Sequence, residues 1–129
     1  MKICTVTGSR AEFYILKNLI QKFEKKKYFN HHLIVTGAHN SKTFGNTIKE
    51  IRKEKIKIGS KININLKNDS ETDISKSFAI GVKLFSETLL KIKPDILLIL
   101  GDRYEIYSAA IAACFNRIPI GHIQGGERT

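Results

Sequence analysis

The chain has 129 residues, of which 42% are hydrophobic and 26% are charged, and 22 Lys and Arg against 12 Asp and Glu give a net charge of +10. This length and composition exclude a disordered chain and allow one domain at most, since about two-thirds of the unfolded surface is buried at this size. No run approaches the roughly 18 to 20 apolar residues of a membrane span, and Ile3 to Val6 is too short for a signal-peptide core. We therefore expect a cytoplasmic protein without a membrane partner.

The positive charge is concentrated in the middle of the chain. Residues 17–67 hold 13 Lys or Arg and 3 acids, whereas residues 68–129 hold 7 and 8. The lysines of this segment alternate with Ile and Asn, and they lack the interspersed aromatic side chains on which single-stranded nucleic acid stacks. We predict a solvated lysine face and no nucleic-acid partner, with nucleic-acid binding through residues 17–67 kept as an alternative.

The first half of the chain alternates strand and helix patterns. A strand is predicted over Lys2 to Thr7, and Gly8-Ser9 ends it. A helix follows, because apolar residues recur at helical spacing, at Phe13, Leu16, Ile20 and Phe23. His32 to Thr36 predicts a second strand, Thr43 to Arg52 a short helix, and the period-two run Lys61 to Leu66 a third strand at a sheet edge.

A long helix is predicted next. The polar loop Asn68 to Asp73 offers good N-cap residues. Beyond it, apolar residues recur at steps of three and four as far as Pro94, at Ile74, Phe78, Val82, Phe85, Leu89 and Ile92. One face of this helix therefore belongs to the core.

The last third completes the pattern. Asp95 to Leu100 is apolar after its first residue, as in a parallel strand that is buried on both faces. Tyr104 to Asn116 is an alanine-rich helix, and Pro119 to Ile123 is a final strand. The alternation predicts an α/β fold, a Rossmann-like parallel sheet with helices on both faces.

The two cysteines, Cys4 and Cys114, lie inside apolar runs. Neither belongs to a Cys-x-x-Cys motif or has Cys/His ligand spacing, so we expect two buried thiols and no metal site.

The loops that follow the predicted strands carry the chemistry. In open α/β sheets, ligands bind beyond the carboxyl ends of the strands, where several loops converge. Four such loops combine glycine with ionisable groups: Arg10, His39, Asp102, Arg103, Glu105, His122 and Glu127. Each glycine or acid taken alone could simply close a turn or cap a helix. Together they are denser in charge than capping requires, and neither G-x-G-x-x-G nor a P-loop motif is present.

These loops resemble those of the UDP-N-acetylglucosamine 2-epimerases, and more closely the hydrolysing branch that supplies sialic and legionaminic acid pathways. Four ordered motifs carry the resemblance: Thr7 to Phe13, Val35 to Ser41 with Phe44-Gly45, Pro94 to Glu105, and Ile118 to Glu127. The Arg-Ala-Glu and Gly-Asp-Arg forms are those of the hydrolysing branch, whereas the non-hydrolysing branch usually has Arg-Pro-Glu and Gly-Asp-Thr.

The resemblance implies a reaction. UDP is eliminated across C1–C2 to give a 2-acetamidoglucal, and water then adds to yield N-acetylmannosamine and UDP, with no metal or redox cofactor. Asp102 matches the family's catalytic aspartate, and Arg10, His39 and Arg103 match substrate-binding positions. Many relatives have a carboxylate where this chain has Gln124, an amide that cannot act as a base. We therefore expect Gln124 to bind substrate, and two outcomes stay open: Glu127 takes over the catalytic proton transfer, or the chemistry is impaired.

The resemblance also implies a longer protein. Family members have two Rossmann-like domains of the glycosyltransferase-B type, and residues 1–129 correspond to part of the N-terminal one. We expect that the C-terminal nucleotide-binding domain is absent from this chain, that the chain alone is inactive, and that the full-length enzyme is a homo-oligomer. The alternatives are a non-hydrolysing epimerase, an enzyme acting on a 2,4-diacetamido sugar, and a stand-alone α/β module that binds a nucleotide or phosphate without catalysis.

Overall fold

A computed structural model describes residues 1–40, 47–64 and 70–126 of the chain. The five strands are β1 (Lys2–Thr7), β2 (Asn30–Val35), β3 (Ile58–Lys61), β4 (Ile96–Leu100) and β5 (Ile120–Ile123). The helices are α1 (Arg10–Lys25), α2 (Ile48–Lys53), α3 (Glu71–Ile92) and α4 (Tyr104–Phe115), together with a 3-10 turn at Gly37–Asn40.

The strands form one parallel sheet in the order β3-β2-β1-β4-β5. The register pairs Cys4 with His32 on one side and with Leu97 on the other. Because all strands run the same way, their carboxyl ends lie at one edge of the sheet, which we call the strand-end edge. The predicted Rossmann-like α/β fold is confirmed.

Helices cover both faces of this sheet. On one face, α3 and α4 pack against alternate strand residues around Phe85, Leu89, Leu97, Ile99 and Ala109. On the other, α1 and α2 pack against the intervening strand residues around Phe13, Leu16, Leu33, Val35 and Ile51. The alternation of Leu33, Ile34 and Val35 between the two clusters is what a strand buried on both faces requires.

The helix starts follow local sequence signals. The Ser9 hydroxyl accepts a hydrogen bond from the Glu12 N–H at the start of α1, and the Ser70 hydroxyl does the same for the Asp73 N–H at the start of α3. The α3 helix ends at Lys93, whose left-handed backbone precedes Pro94. None of the described helices is long and apolar enough to cross a bilayer.

Two expectations about these elements are wrong. The third strand is Ile58–Lys61, not Lys61 to Leu66, although it lies at the sheet edge as predicted. Ile62 and Ile64 are buried in the segment that follows the strand, and the Ile62 N–H donates a hydrogen bond to the Val35 carbonyl, so their alternation reflects burial beyond the end of the strand. Cys114 is exposed, whereas Cys4 is buried and burial raises the pKa of its thiol to about 12. The outer face of α4 is apolar too, which is why the surrounding run suggested burial.

Other expectations are confirmed or fall outside the described residues. In β4, Leu97, Ile99 and Leu100 are buried and the other two residues are half-buried, close to the pattern expected for an interior strand. The predicted helix from Thr43 is observed from Ile48 onward. Residues 41–46, 65–69 and 127–129 lie outside the described residues, and with them the predicted start of that helix, the end of the predicted third strand, part of the 68–73 loop, and Glu127.

Candidate active site

Four loops meet at the strand-end edge, after β1, β2, β4 and β5. Thr7, the last residue of β1, hydrogen-bonds through Oγ1 to Nε2 of His39, in the turn after β2, at 3.1 Å. The Gly101 carbonyl after β4 lies 2.8 Å from Nε2 of His122 in β5. The edge is therefore a connected surface built from residues distant in sequence, as expected for the ligand-binding side of an α/β sheet.

A buried carboxyl group closes the loop after β1. Glu12, in the first turn of α1, reaches back so that its Oε2 accepts a hydrogen bond of 2.7 Å from the Gly8 N–H. Its second oxygen, Oε1, is buried and receives no hydrogen bond from the described residues. Burial, and to a smaller extent the negative charge of Glu105, raise the pKa of Glu12, while its hydrogen bonds with Gly8 and Ser9 act in the opposite direction.

A second buried carboxylate, Glu105 in the first turn of α4, binds the guanidinium of Arg103. Arg103 Nε lies 3.3 and 3.2 Å from the two Glu105 oxygens, and Nη2 lies 2.8 Å from Oε1. The Glu105 side chain is 1% exposed and that of Arg103 is 50% exposed, so the ion pair spans from the interior to the surface. The hydrogen bonds with Glu105 raise the pKa of Arg103, and its Nε also lies 4.0 Å from Glu12 Oε1.

Glycine in the loop after β2 makes room for the Glu105 carboxylate. Gly37 has a φ of 56°, and a Cβ there would lie 2.6 Å from Glu105 Oε1 and 2.8 Å from the Gly8 carbonyl oxygen. A side chain at this position would thus push the carboxylate away and strain the backbone. Glu105 therefore contacts three of the four loops of the edge.

His39 is fully buried below this surface. Both of its ring nitrogens are engaged, Nε2 with Thr7 and Nδ1 with Thr47 Oγ1 at 2.6 Å. Burial lowers the pKa of His39 to about 4, so the ring is neutral at pH 7. The histidine fixes the loops after β1 and β2 against the start of α2, and in this arrangement its nitrogens are not presented to solvent.

Arg10 and Asp102, like Arg103, are exposed charged groups of the edge. Arg10 begins α1, with its side chain 65% exposed, and its Nε lies 3.2 Å from Glu50 Oε2. Asp102 follows Gly101, whose φ of 77° turns the chain at the end of β4. The Asp102 side chain is exposed, and within the described ranges no group pairs with it. Its carboxylate is free to meet a ligand.

The loop after β5 is only partly described. Gln124 is exposed and has a φ of 59°, and it directly follows Ile123, which pairs with Leu100 at the end of β4. Gln124 thus lies at the strand end neighbouring that of Asp102. The predicted base Glu127 lies outside the described residues.

Sequence reasoning placed Asp102, Arg103, Arg10 and Gln124 at one edge, and the structure brings these residues there. It assigned no role to Glu12 and counted Glu105 only as one ionisable residue among several. The signals were a glutamate three residues after the N-cap serine of α1 and another in the first turn of α4, both ordinary capping patterns. Across residues 1–40, 47–64 and 70–126, no three His, Cys, Asp or Glu side chains are grouped to hold a metal ion.

Comparisons with known proteins identify the family to which the chain is similar. Residues 21–129 match the family model described as UDP-N-acetylglucosamine 2-epimerase. Over 99% of its length the chain is 44% identical to the GDP/UDP-N,N'-diacetylbacillosamine 2-epimerase (hydrolyzing) of Campylobacter jejuni, and 39% identical to the polysialic acid biosynthesis protein P7 of Escherichia coli. The chain spans about a third of the length of these relatives.

A solved structure gives the same result for the fold. The UDP-GlcNAc 2-epimerase of Neisseria meningitidis, crystallised with UDP-GlcNAc, superposes on the whole chain with a TM-score of 0.85 and 27% identity, and the chain covers 33% of it. The sheet thus corresponds to one domain of a glycosyltransferase-B-like enzyme. The family model covers most of the chain and the fold superposes over the whole chain, so the chain belongs to the UDP-N-acetylglucosamine 2-epimerase family.

Proposed function

We propose that this chain is the N-terminal domain of a hydrolysing 2-epimerase that converts a UDP-linked 2-acetamido sugar to the free 2-epimer and UDP. The observation that carries the proposal is the exposed Asp102, with which none of the described residues pairs, beside Arg103, whose guanidinium is anchored on a buried carboxylate. The 44% identity to a relative whose name states a hydrolysing 2-epimerase supports the same reaction.

In this reaction a proton leaves C2 and UDP leaves C1, and water then adds its hydroxyl to C1 and a proton to C2. The C2 proton is weakly acidic, so a positioned carboxylate has to move it. We assign this role to Asp102, with Glu127 as the second proton-transfer group. Gln124 would contact the substrate without exchanging protons.

The leaving diphosphate needs positive charge. Among the described residues of the strand-end edge, Arg10 and Arg103 carry guanidinium groups, and we assign both to the anionic part of the substrate. The Arg10 side chain is 65% exposed, so its guanidinium is accessible to a phosphate oxygen. Its partner oxygen, Glu50 Oε2, is buried and accepts no hydrogen bond from the described residues, so Arg10 would leave it without a cation on turning to the substrate. His39, which is buried, would position the loops rather than touch the sugar.

The sugar itself has two candidates. The name of the Campylobacter relative favours UDP-N,N'-diacetylbacillosamine, a 2,4-diacetamido sugar, over plain UDP-N-acetylglucosamine. We propose that the full-length protein uses one of these two, acts in the cytoplasm as a homo-oligomer, and binds the nucleotide through a second domain. The 129-residue chain alone would then have negligible activity.

The test is to express the longest reading frame that contains this chain and to incubate it with each nucleotide sugar. The expected products are UDP and a free 2-epimerised sugar, identified by mass spectrometry. A UDP-linked epimer instead would establish the non-hydrolysing alternative. Turnover of neither sugar, with nucleotide bound tightly, would favour the stand-alone binding module. UDP release by the purified 129-residue chain would contradict the need for a second domain.

A further inference from the structure

We propose that Glu105 is a positioning residue, which fixes the guanidinium of Arg103 so that its outer N–H groups face the diphosphate of the substrate. This inference rests on the proposed function. Glu105 is fully buried, and its carboxylate takes up the Nε and Nη2 side of Arg103 at 2.8 to 3.3 Å. Side-on pairing of this kind fixes the plane of the guanidinium as well as its position.

The pairing leaves part of Arg103 unused. A guanidinium has five N–H groups, and the Glu105 contacts engage only Nε and Nη2. Elsewhere in the described chain, Nη1 has no hydrogen-bond acceptor, and half of the side chain is open to solvent. Because the buried side of the guanidinium is bound to Glu105, the free N–H groups lie on the solvent side, next in sequence to Asp102.

The anchor itself is held rigidly. The Glu105 carboxylate fits against Gly37, where a Cβ would lie 2.6 Å from Oε1, and its Cβ lies near Gly8. Glu12 Oε1 is also buried and lies 4.0 Å from Arg103 Nε, the atom that Glu105 binds. An arginine that faces two buried acids on a framework of three loops has few alternative rotamers, so it does not have to be ordered when the substrate binds.

A double-mutant cycle in the full-length protein tests whether Glu105 acts through Arg103. Glu105→Gln keeps the shape but removes the charge, and we expect kcat/KM to fall about tenfold or more, as for loss of a charge-assisted hydrogen bond. Once Arg103→Ala is present, Glu105→Gln should cause no further loss. Additive losses would mean that Glu105 supports the loops independently of Arg103, and would overturn the proposal. Glu87→Gln, an exposed glutamate on α3, is the matched control.

A second measurement does not depend on turnover. In the 129-residue chain, exchange of the Arg103 Nε proton with water, followed by NMR, should be about tenfold or more slower than that of the exposed Arg52. Glu105→Gln should abolish this protection. Fast exchange in the wild-type chain would contradict the anchored guanidinium even if Glu105→Gln fails to fold. If the anchor is observed but the full-length protein turns over neither sugar, the proposed function fails while the Arg103–Glu105 geometry stands.

Discussion

The strand-end edge and the lysine-rich segment of residues 17–67 are both rich in charged residues, but the two regions differ in how far these side chains are buried. At the edge, Glu105 and Glu12 are buried and face the guanidinium of Arg103. In the lysine-rich segment, the basic side chains of α2 and the turn after it are exposed, among them Arg52, Lys53, Lys55 and Lys57. The apolar residues between them supply the core under the sheet.

This difference shows why net charge is a poor guide to function here. The described basic side chains of residues 17–67 are exposed apart from the half-buried Lys17, as predicted for a solvated lysine face. At the edge, by contrast, the guanidinium of Arg103 has a fixed direction because its partner Glu105 is buried. Catalysis depends more on charged groups that are held in a fixed orientation than on the number of charged groups. Four variants, one of them a double substitution, should show that changes at the edge affect turnover or stability more than changes in the lysine-rich segment. They are given in order of decreasing expected effect.

Asp102→Asn should have the largest effect. In the full-length protein we expect kcat to fall by a factor on the order of 100 to 10,000, because an amide cannot move the C2 proton. The fold should be unchanged, since none of the described residues pairs with the Asp102 side chain. The rate of UDP release by Asp102→Asn checks the predicted loss of kcat. The control variant Lys53→Ala should keep the wild-type rate. Near wild-type turnover by Asp102→Asn would remove it from the catalytic role.

Arg103→Ala should destabilise the domain by about 2 kcal/mol, because it leaves the buried Glu105 without its cation. We place the cost below the roughly 3 to 5 kcal/mol of a fully buried pair, since half of the Arg103 side chain is exposed to solvent. Arg52→Ala, an exposed arginine in α2, should cost less than about 0.5 kcal/mol. Urea denaturation of the 129-residue chain gives both values, and equal costs would erase the contrast between the regions.

His39→Gln should change the pH dependence of stability. The pKa of His39 is about 4 in the folded chain and 6.5 in the unfolded one, so the unfolded state binds more protons between these values. Wild-type stability thus contains a part that is present above pH 6.5 and lost as the pH falls towards 4. In the variant, proton uptake on unfolding over this range should fall by about one. The free energy of unfolding at several pH values measures it, and an unchanged slope would indicate that His39 is charged when folded.

Substitutions in the lysine-rich segment should have the smallest effect on stability. In a Lys53→Ala, Lys55→Ala double variant, the free energy of unfolding, measured by thermal denaturation, should stay within about 0.5 kcal/mol of the wild-type value. Oligonucleotide binding should be undetectable even at low salt, where phosphate contacts are strongest. Binding that weakens steeply with added salt would instead give this segment a function.

The fold was largely predictable from the sequence. The spacing of hydrophobic residues indicates which residues are buried, and the glycines at the strand ends indicate where the chain turns. The third strand was misplaced because Gly59 and Ser60 are poor strand formers. Ser60 nonetheless pairs with Ile34 of β2, and Gly59 is left out where the register shifts, so this pairing comes from tertiary contact rather than local preference. Cys114 was misjudged because a helix that is apolar all round does not reveal which face is covered. The charged edge was predictable as a set of loops, since parallel strands must end together. That Glu105 lies against Gly37, 68 positions earlier in the chain, depends on packing that no local pattern contains.

Turnover in deuterium oxide tests the central claim most directly. If the strand-end edge supports elimination of UDP followed by addition of water, the full-length protein should release UDP together with a free 2-epimerised sugar that carries one deuterium at C2. Asp102→Asn should reduce formation of this product by the same factor as UDP release. A 2-epimer that retains protium at C2, or a deuterated product formed at the wild-type rate by Asp102→Asn, would contradict the account.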